Sequence, residues 1–201
     1  QLKAGGRLIE ARTILICTGS APAELKDFPF DQTRILSSDQ LLGLSEVPES
    51  LLIIGGGVIG CEFAQLFSVL GAQVTIVEIM PQLLPGIDKE AAKKLETVFK
   101  KKRIAVKTST DARTLDMHGF KKVLVCVGRK PRLDGLEPLG LMASAKGIQV
   151  DDFLRTTVDG IYAAGDCTGQ LMLAHYAAYQ GELAVHNIAH PDLLKRCDAR
   201  A

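Results

Sequence analysis

Three glycines and one carboxylate carry the clearest chemistry in this chain. The segment Leu51-Leu-Ile-Ile-Gly-Gly-Gly-Val-Ile-Gly60 puts Gly55, Gly57 and Gly60 in the G-x-G-x-x-G spacing, directly after an apolar run and at the opening of a helical pattern. Gly55 permits a tight turn, Gly57 lets the backbone approach a pyrophosphate with no Cβ in the way, and Gly60 lets the helix pack closely on the strand. Val58, Ile59 and Gly60 then present free amides at the positive end of the helix, where phosphate binds. Glu78 closes the following apolar run, 21 residues after Gly57, where an acid accepts hydrogen bonds from the adenosine ribose hydroxyls. A carboxylate repels a 2′-phosphate, and no arginine follows in Ile79-Met80-Pro81, so the pattern favours NAD over NADP. The plainer alternative is a glycine-rich turn followed by an incidental surface glutamate.

A dinucleotide loop needs a strand-helix-strand frame, and the flanking residues supply one. Leu51–Ile54 is a strand-sized apolar run. Ile59, Phe63, Leu66, Phe67 and Leu70 then recur with helical spacing up to Gly71, a C′ cap, and Val74–Val77 returns as a strand. Asp88 is a fitting N-cap for a second helix with Leu95, Val98 and Phe99 facing inward, and Lys100 to Arg103 make a solvated basic end that favours the helix dipole. Further strands are expected at Thr13–Cys17, Ile104–Val106, Val123–Val127 and Ile161–Ala163, and a last helix from Met172 to Ala189; Leu25 to Ser50 reads as irregular connection. The alternation predicts an α/β fold with largely parallel strands.

Bulk properties exclude other classes. The 201 residues are 47% hydrophobic and 23% charged with net charge +1, which gives no electrostatic case for nucleic acid or an anionic membrane. Apolar stretches are strand-sized, so no bilayer span is expected. Gln1–Ile9 has neither an apolar h-region nor an initiator methionine and reads as an internal cut. Cys17, Cys61, Cys126, Cys167 and Cys197 are scattered singly, without the spacing of a disulfide scaffold or a metal site, which suits a reducing cytoplasm.

Three more strand ends carry glycine: Cys17-Thr18-Gly19-Ser20, Cys126-Val127-Gly128-Arg129 and Ala163-Ala164-Gly165-Asp166. A glycine there lets a ligand approach the backbone, and an aspartate can accept hydrogen bonds from a polyol, so a second cofactor is one reading and ordinary turns the other. The order of motifs nevertheless resembles the flavin-dependent pyridine nucleotide–disulfide oxidoreductases, most closely their dihydrolipoamide-oxidising branch. The resemblance runs through nearly the whole chain. It rests on Ile16-Cys-Thr-Gly-Ser20, the glycine loop, Val123-Leu-Val-Cys-Val-Gly-Arg-Lys-Pro131, Leu154-Arg-Thr-Thr157, Gly160-Ile-Tyr-Ala-Ala-Gly-Asp166 and Met172-Leu-Ala-His175.

That resemblance implies a Rossmann-type NAD-binding domain over residues 45–130, flanked by parts of an FAD-binding α/β domain at 1–44, which includes the crossover, and at 131–201. It implies FAD near Thr18, Gly19, Ser20 and Asp166, with Ala174 and His175 beside the flavin ring, and NAD at the glycine loop, Gly128 and Glu62. Homodimerisation and a 2-oxoacid dehydrogenase complex are implied as partners of the parent. The family's FAD glycine loop, its redox Cys-x4-Cys and its C-terminal His-Glu acid–base pair do not occur in this sequence, so no residue here is expected to be catalytic and His175 is not that base. The cysteines next to apolar runs are read as core or turn residues. Lys107 to Lys121 is shorter than the family's usual β-hairpin. A mercuric or glutathione reductase or an NADH oxidase shares these motifs, and a non-catalytic nucleotide-binding module is the reading from a different class.

Overall fold

The computed structural model describes residues 2–198, and residues 1 and 199–201 lie outside the described part. Backbone contacts divide the chain into two compact units, one of Pro22–Arg129 and one made of residues up to Ala21 together with those from Lys130 onward.

In the discontinuous unit, β1 (Ile14–Ile16) pairs in parallel with a later strand, Ile161–Ala163. In the continuous unit the chain forms β2 (Ile35–Leu36) and the short helix α1 (Ser38–Leu42), so the stretch read as irregular carries two elements. The missed signal is a capping box. Ser37 Oγ accepts the Gln40 amide at 3.2 Å and Gln40 Oε1 accepts the Ser37 amide at 2.8 Å, which satisfies two orphan donors reciprocally. β2 is only two residues long and acquires its identity from pairing with a distant strand, which local patterning does not reveal.

Next come β3 (Ser50–Ile54), α2 (Val58–Val69), β4 (Gln73–Val77), α3 (Lys89–Lys101), β5 (Ala105–Lys107) and β6 (Lys122–Val125). The five strands form one sheet in the order β2-β6-β3-β4-β5, parallel at every pairing. Leu51, Leu52 and Ile53 on central β3 are wholly buried, each contributing about 1.5–3 kcal/mol of burial. β6 ends at Val125, two residues short of the expected Val127, because Val127 has turned out to solvent.

The inward face of α2 differs from the one its apolar spacing suggested. Phe63 and Phe67 are buried, but Leu66 and Leu70 are exposed, and Gly60, Cys61 and Ala64 complete the buried face. The opening of the helix lies close on the end of β3, where a Cβ on Gly60 would stand 2.0 Å from Gly55 O. Gly71 is the C′ residue, with φ +100°, and the Ala72 and Gly71 amides bond Phe67 O and Ser68 O at 2.9 and 3.2 Å in a Schellman closure. Helix α3 opens on Asp88, whose Oδ1 accepts the Glu90 and Ala91 amides. Its Phe99 is buried, while Leu95 and Val98 are half-buried.

Between β5 and β6 the chain makes a 3-10 turn, Ala112–Thr114, capped by Asp111, and lays Leu115, Met117 and Phe120 against the Leu52, Ile54 and Val125 face of the sheet. In the discontinuous unit the last helix, α4 (Ala174–Ala189), starts two residues later than expected. Its fully buried Asn187 bonds the Phe153 and Lys195 carbonyls and the Lys195 amide, fastening the segment that follows the helix.

Candidate functional site

The glycine loop follows the carboxyl end of β3, next to that of its neighbour β6. Open α/β sheets bind ligands in the crevice outside the carboxyl ends of their strands. Each glycine answers a different demand. Gly55 has φ +112°, and a Cβ there would stand 2.5 Å from the Cys126 carbonyl oxygen. A Cβ on Gly60 would stand 2.0 Å from Gly55 O, so close helix–strand packing requires its absence. A Cβ on Gly57 would meet nothing within 4 Å. The protein's own packing leaves that position open, as a ligand-facing backbone requires.

Gly57 is the N-cap of α2 and has no side-chain cap. The first helical bond runs from Cys61 N–H to Gly57 O at 3.0 Å, so the amides of Val58, Ile59 and Gly60 precede the ladder and are the orphan donors at the positive helix end.

Glu78 turns its carboxylate into this loop. Oε2 accepts the Gly56 amide at 2.6 Å and Oε1 accepts the Met80 amide at 2.8 Å, and the residue is only 7% exposed. Its backbone is pinned as well, the amide donating to Lys107 O at 2.9 Å and the carbonyl accepting from Thr110 N at 3.0 Å. Each carboxylate oxygen retains a further lone pair. A cavity of about 400 Å3 adjoins it, lined by Gly55, Val77, Glu78, Ile79, Ala112 and Val127 among others. Sequence reasoning missed Gly56, whose amide ties the loop to the end of β4.

Other expected residues fall in two groups. In the continuous unit, Gly128 has φ +122° and its carbonyl accepts the Ala23 amide at 2.9 Å. Glu62 is exposed on α2 and shares a shallow surface with Asp39 and Arg129, which pair at 3.5 Å. In the other unit, Ser20 Oγ donates to Asp166 Oδ2 at 2.6 Å, Thr18 Oγ1 donates to Arg132 O at 2.6 Å, and Gly19 O accepts the Arg132 amide at 2.9 Å. Ala174 and His175 are exposed in the first turn of α4. Gln180, fully buried, accepts the Gly165 amide at 2.8 Å and so fixes the turn before Asp166. Nothing in the sequence marked that glutamine, since its partner lies on a different element.

The thiols of Cys61 and Cys126 are not poised nucleophiles. Burial, with the charge of Glu78 adding to it, pushes Cys61 up to about 11. Burial, then the neighbouring Cys61 and Glu78, pushes Cys126 up to about 12. Both donate weakly to loop carbonyls, Cys61 to Gly56 O and Cys126 to Gly55 O, at 3.4 Å each. Cys61, Cys126 and Cys167 are buried as expected, but Cys17 is exposed, because the chain has left β1 when it reaches that residue. Among the described residues no group of His, Cys, Asp or Glu is arranged to hold a metal ion, and no helix is long and apolar enough to cross a membrane.

The open position at Gly57, the helix end and the Glu78 carboxylate fit a dinucleotide. Comparison with known proteins agrees. Residues 1–181 match the family model described as pyridine nucleotide-disulphide oxidoreductase. The chain is 42% identical to the dihydrolipoyl dehydrogenase of Bacillus subtilis, over 94% of this chain and 45% of that protein. It is 35% identical to the dihydrolipoyl dehydrogenase of Thermus scotoductus, over 96% and 47%. Among solved structures it superposes on LpdA from Mycobacterium tuberculosis with TM-score 0.82 and 32% identity, over 94% of this chain and 44% of that one. It also superposes on the HOCl-induced flavoprotein disulfide reductase RclA from Escherichia coli with TM-score 0.86 and 27% identity, over 98% and 49%. The chain spans about half the length of the curated relatives it matches. FAD and NAD(H) are the cofactors that this kinship implies. With its parallel sheet, its glycine loop at the carboxyl end of β3 and a family match over residues 1–181, the chain belongs to the pyridine nucleotide-disulphide oxidoreductases.

Proposed function

We propose that this chain is the NAD-binding central portion of a dihydrolipoyl dehydrogenase, with residues 45–130 as the NAD domain, residues 1–44 as an FAD-domain segment and the crossover that leads into the NAD unit, and residues 131–201 returning to the FAD domain. In such an enzyme dihydrolipoamide is oxidised to lipoamide, and the electrons pass through a redox disulfide and FAD to NAD. The work of these residues is to bind and orient. The amides of Val58, Ile59 and Gly60 would hold the pyrophosphate, Glu78 would accept the ribose hydroxyls, and Gly128 and Glu62 would border the nicotinamide end. Thr18, Gly19, Ser20, Asp166, Ala174 and His175 would face the flavin.

The observation that carries this reading is the carboxylate of Glu78 set against the Gly55–Gly60 loop, beside a cavity at the carboxyl ends of the strands. No Cys-x4-Cys occurs in the sequence, so the chain by itself is expected to bind NADH without oxidising dihydrolipoamide. The likeness to RclA favours one second reading, a related NADH-linked flavoprotein disulfide reductase. Cytoplasmic location, homodimerisation and service in a 2-oxoacid dehydrogenase complex follow from the proposal by kinship.

Fluorescence titration with NADH and NADPH at one fixed salt concentration tests it. Saturable NADH binding with at least about tenfold preference, or about 1.4 kcal/mol, is the expected result. Absence of NADH binding would overturn the assignment.

A further inference from the structure

The cavity beside Glu78 carries a second set of charges that the dinucleotide motif does not account for. Asp27, Asp111 and Arg113 line the same cavity as Gly55, Glu78 and Ile79. Arg113 reaches it from the shortened connection between β5 and β6. Its Nε lies 3.0 Å from both Asp111 carboxylate oxygens, its Nη2 lies 2.5 Å from Oδ2, and its Nη1 lies 3.8 Å from Asp27 Oδ2. The guanidinium is thus gripped by one carboxylate and faced by another.

We propose that Asp27 and Asp111 set the preference for NAD over NADP by sequestering Arg113 away from the adenosine ribose. The inference rests on the NAD-binding reading above and assigns part of its selectivity to residues outside the motif. A guanidinium at the edge of an adenosine pocket is the group that accommodates a 2′-phosphate, through a planar fork matched to its oxygens. Arg113 is that group by position, and its side chain is 63% exposed, so packing does not hold it back. Its two carboxylates do. Asp111 is the tighter partner, and hydrogen bonds from the Arg113 side chain and amide hold its carboxyl down to about 2. Glu78 therefore rejects the 2′-phosphate at the ribose, while Asp27 and Asp111 withhold the cation that would offset the repulsion.

The test compares NADH and NADPH titrations of the full chain, its Asp27→Asn/Asp111→Asn variant, and that variant combined with Arg113→Ala. The Asp111→Asn change keeps a side-chain amide oxygen to cap the turn, and Asp27→Asn alone provides a variant outside any cap. Freeing Arg113 is expected to tighten NADPH binding about fivefold or more with NADH within about twofold, the gain growing as salt is lowered. Adding Arg113→Ala is expected to abolish the gain. An unchanged NADPH affinity in both asparagine variants, or a gain that survives loss of Arg113, would overturn the inference while leaving NADH binding intact. A parent chain that fails to bind NADH would overturn the NAD-binding reading and this inference with it.

Discussion

The amide of Gly56 donates a 2.6 Å hydrogen bond to Oε2 of Glu78, tying the loop after β3 to the end of β4 across 22 residues of sequence. The same carboxylate accepts the Met80 amide through its other oxygen. Glu78 therefore shapes the loop as well as offering itself to a ribose, and any change there acts on both.

Replacing Glu78 with arginine should weaken NADH binding, and the gain in NADPH binding should fall short of what charge reversal alone would give. The buried amides of Gly56 and Met80 lose their acceptor, a loss of about 1–3 kcal/mol in stability. Urea unfolding alongside the two titrations separates the contributions. An unchanged midpoint would mean the amide bonds do not form in solution, and an unchanged cofactor preference would remove Glu78 from the ribose.

Gly57→Ala and Gly60→Ala should part company. A Cβ on Gly57 meets nothing within 4 Å, so stability should stay within about 0.5 kcal/mol while NADH binding falls. A Cβ on Gly60 collides with Gly55 O at 2.0 Å, and backbone cannot yield as a flexible side chain does, so a loss of about 3 kcal/mol or more is expected. Thermal melts of the two variants with NADH titrations are decisive, and similar melting points would refute the assignment of roles.

Arg103→Gly should stabilise the protein by about 0.5–1 kcal/mol. Arg103 is the C′ residue of α3 at φ +61°, where its amide bonds Lys100 O and the Ile104 amide bonds Phe99 O. Glycine adopts that left-handed conformation without a Cβ penalty. A lower urea midpoint for the variant would contradict the cap assignment.

Native thiol titration at pH 8 should label exposed Cys17 before Cys61 and Cys126. The latter two thiols are raised to about 11 and about 12 from an unfolded value near 9. Folded-state values above the unfolded value contribute stability fully below about pH 9, and that contribution is lost as pH rises through about 11 to 12. Alkaline unfolding of the parent chain should therefore be steeper than that of a Cys61→Ser/Cys126→Ser variant. Rapid labelling of Cys126 in the native state would show the loop floor to be open.

Sequence alone settles the part of the protein whose physics is local. The glycine spacing, the apolar run of β3, the Asp88 and Gly71 caps and the position of Glu78 each follow from a few adjacent residues, and so do the strand–helix–strand order and the α/β class. Ser37 and Gln40 were equally legible, as a capping box inside a stretch read as irregular. Tertiary structure decided the rest, because it depends on partners far apart in the chain. It made a two-residue strand at Ile35–Leu36 by pairing it with β6, and it chose Gly60 and Ala64 over Leu66 and Leu70 as the inward side of α2. It buried Gln180 against the amide of Gly165 and brought Asp27 and Arg113 to the edge of one cavity. Burial and hydrogen-bond satisfaction are properties of the assembled unit, and a helical or strand period states only which residues can share a face, while close approach of two backbones decides which face turns inward.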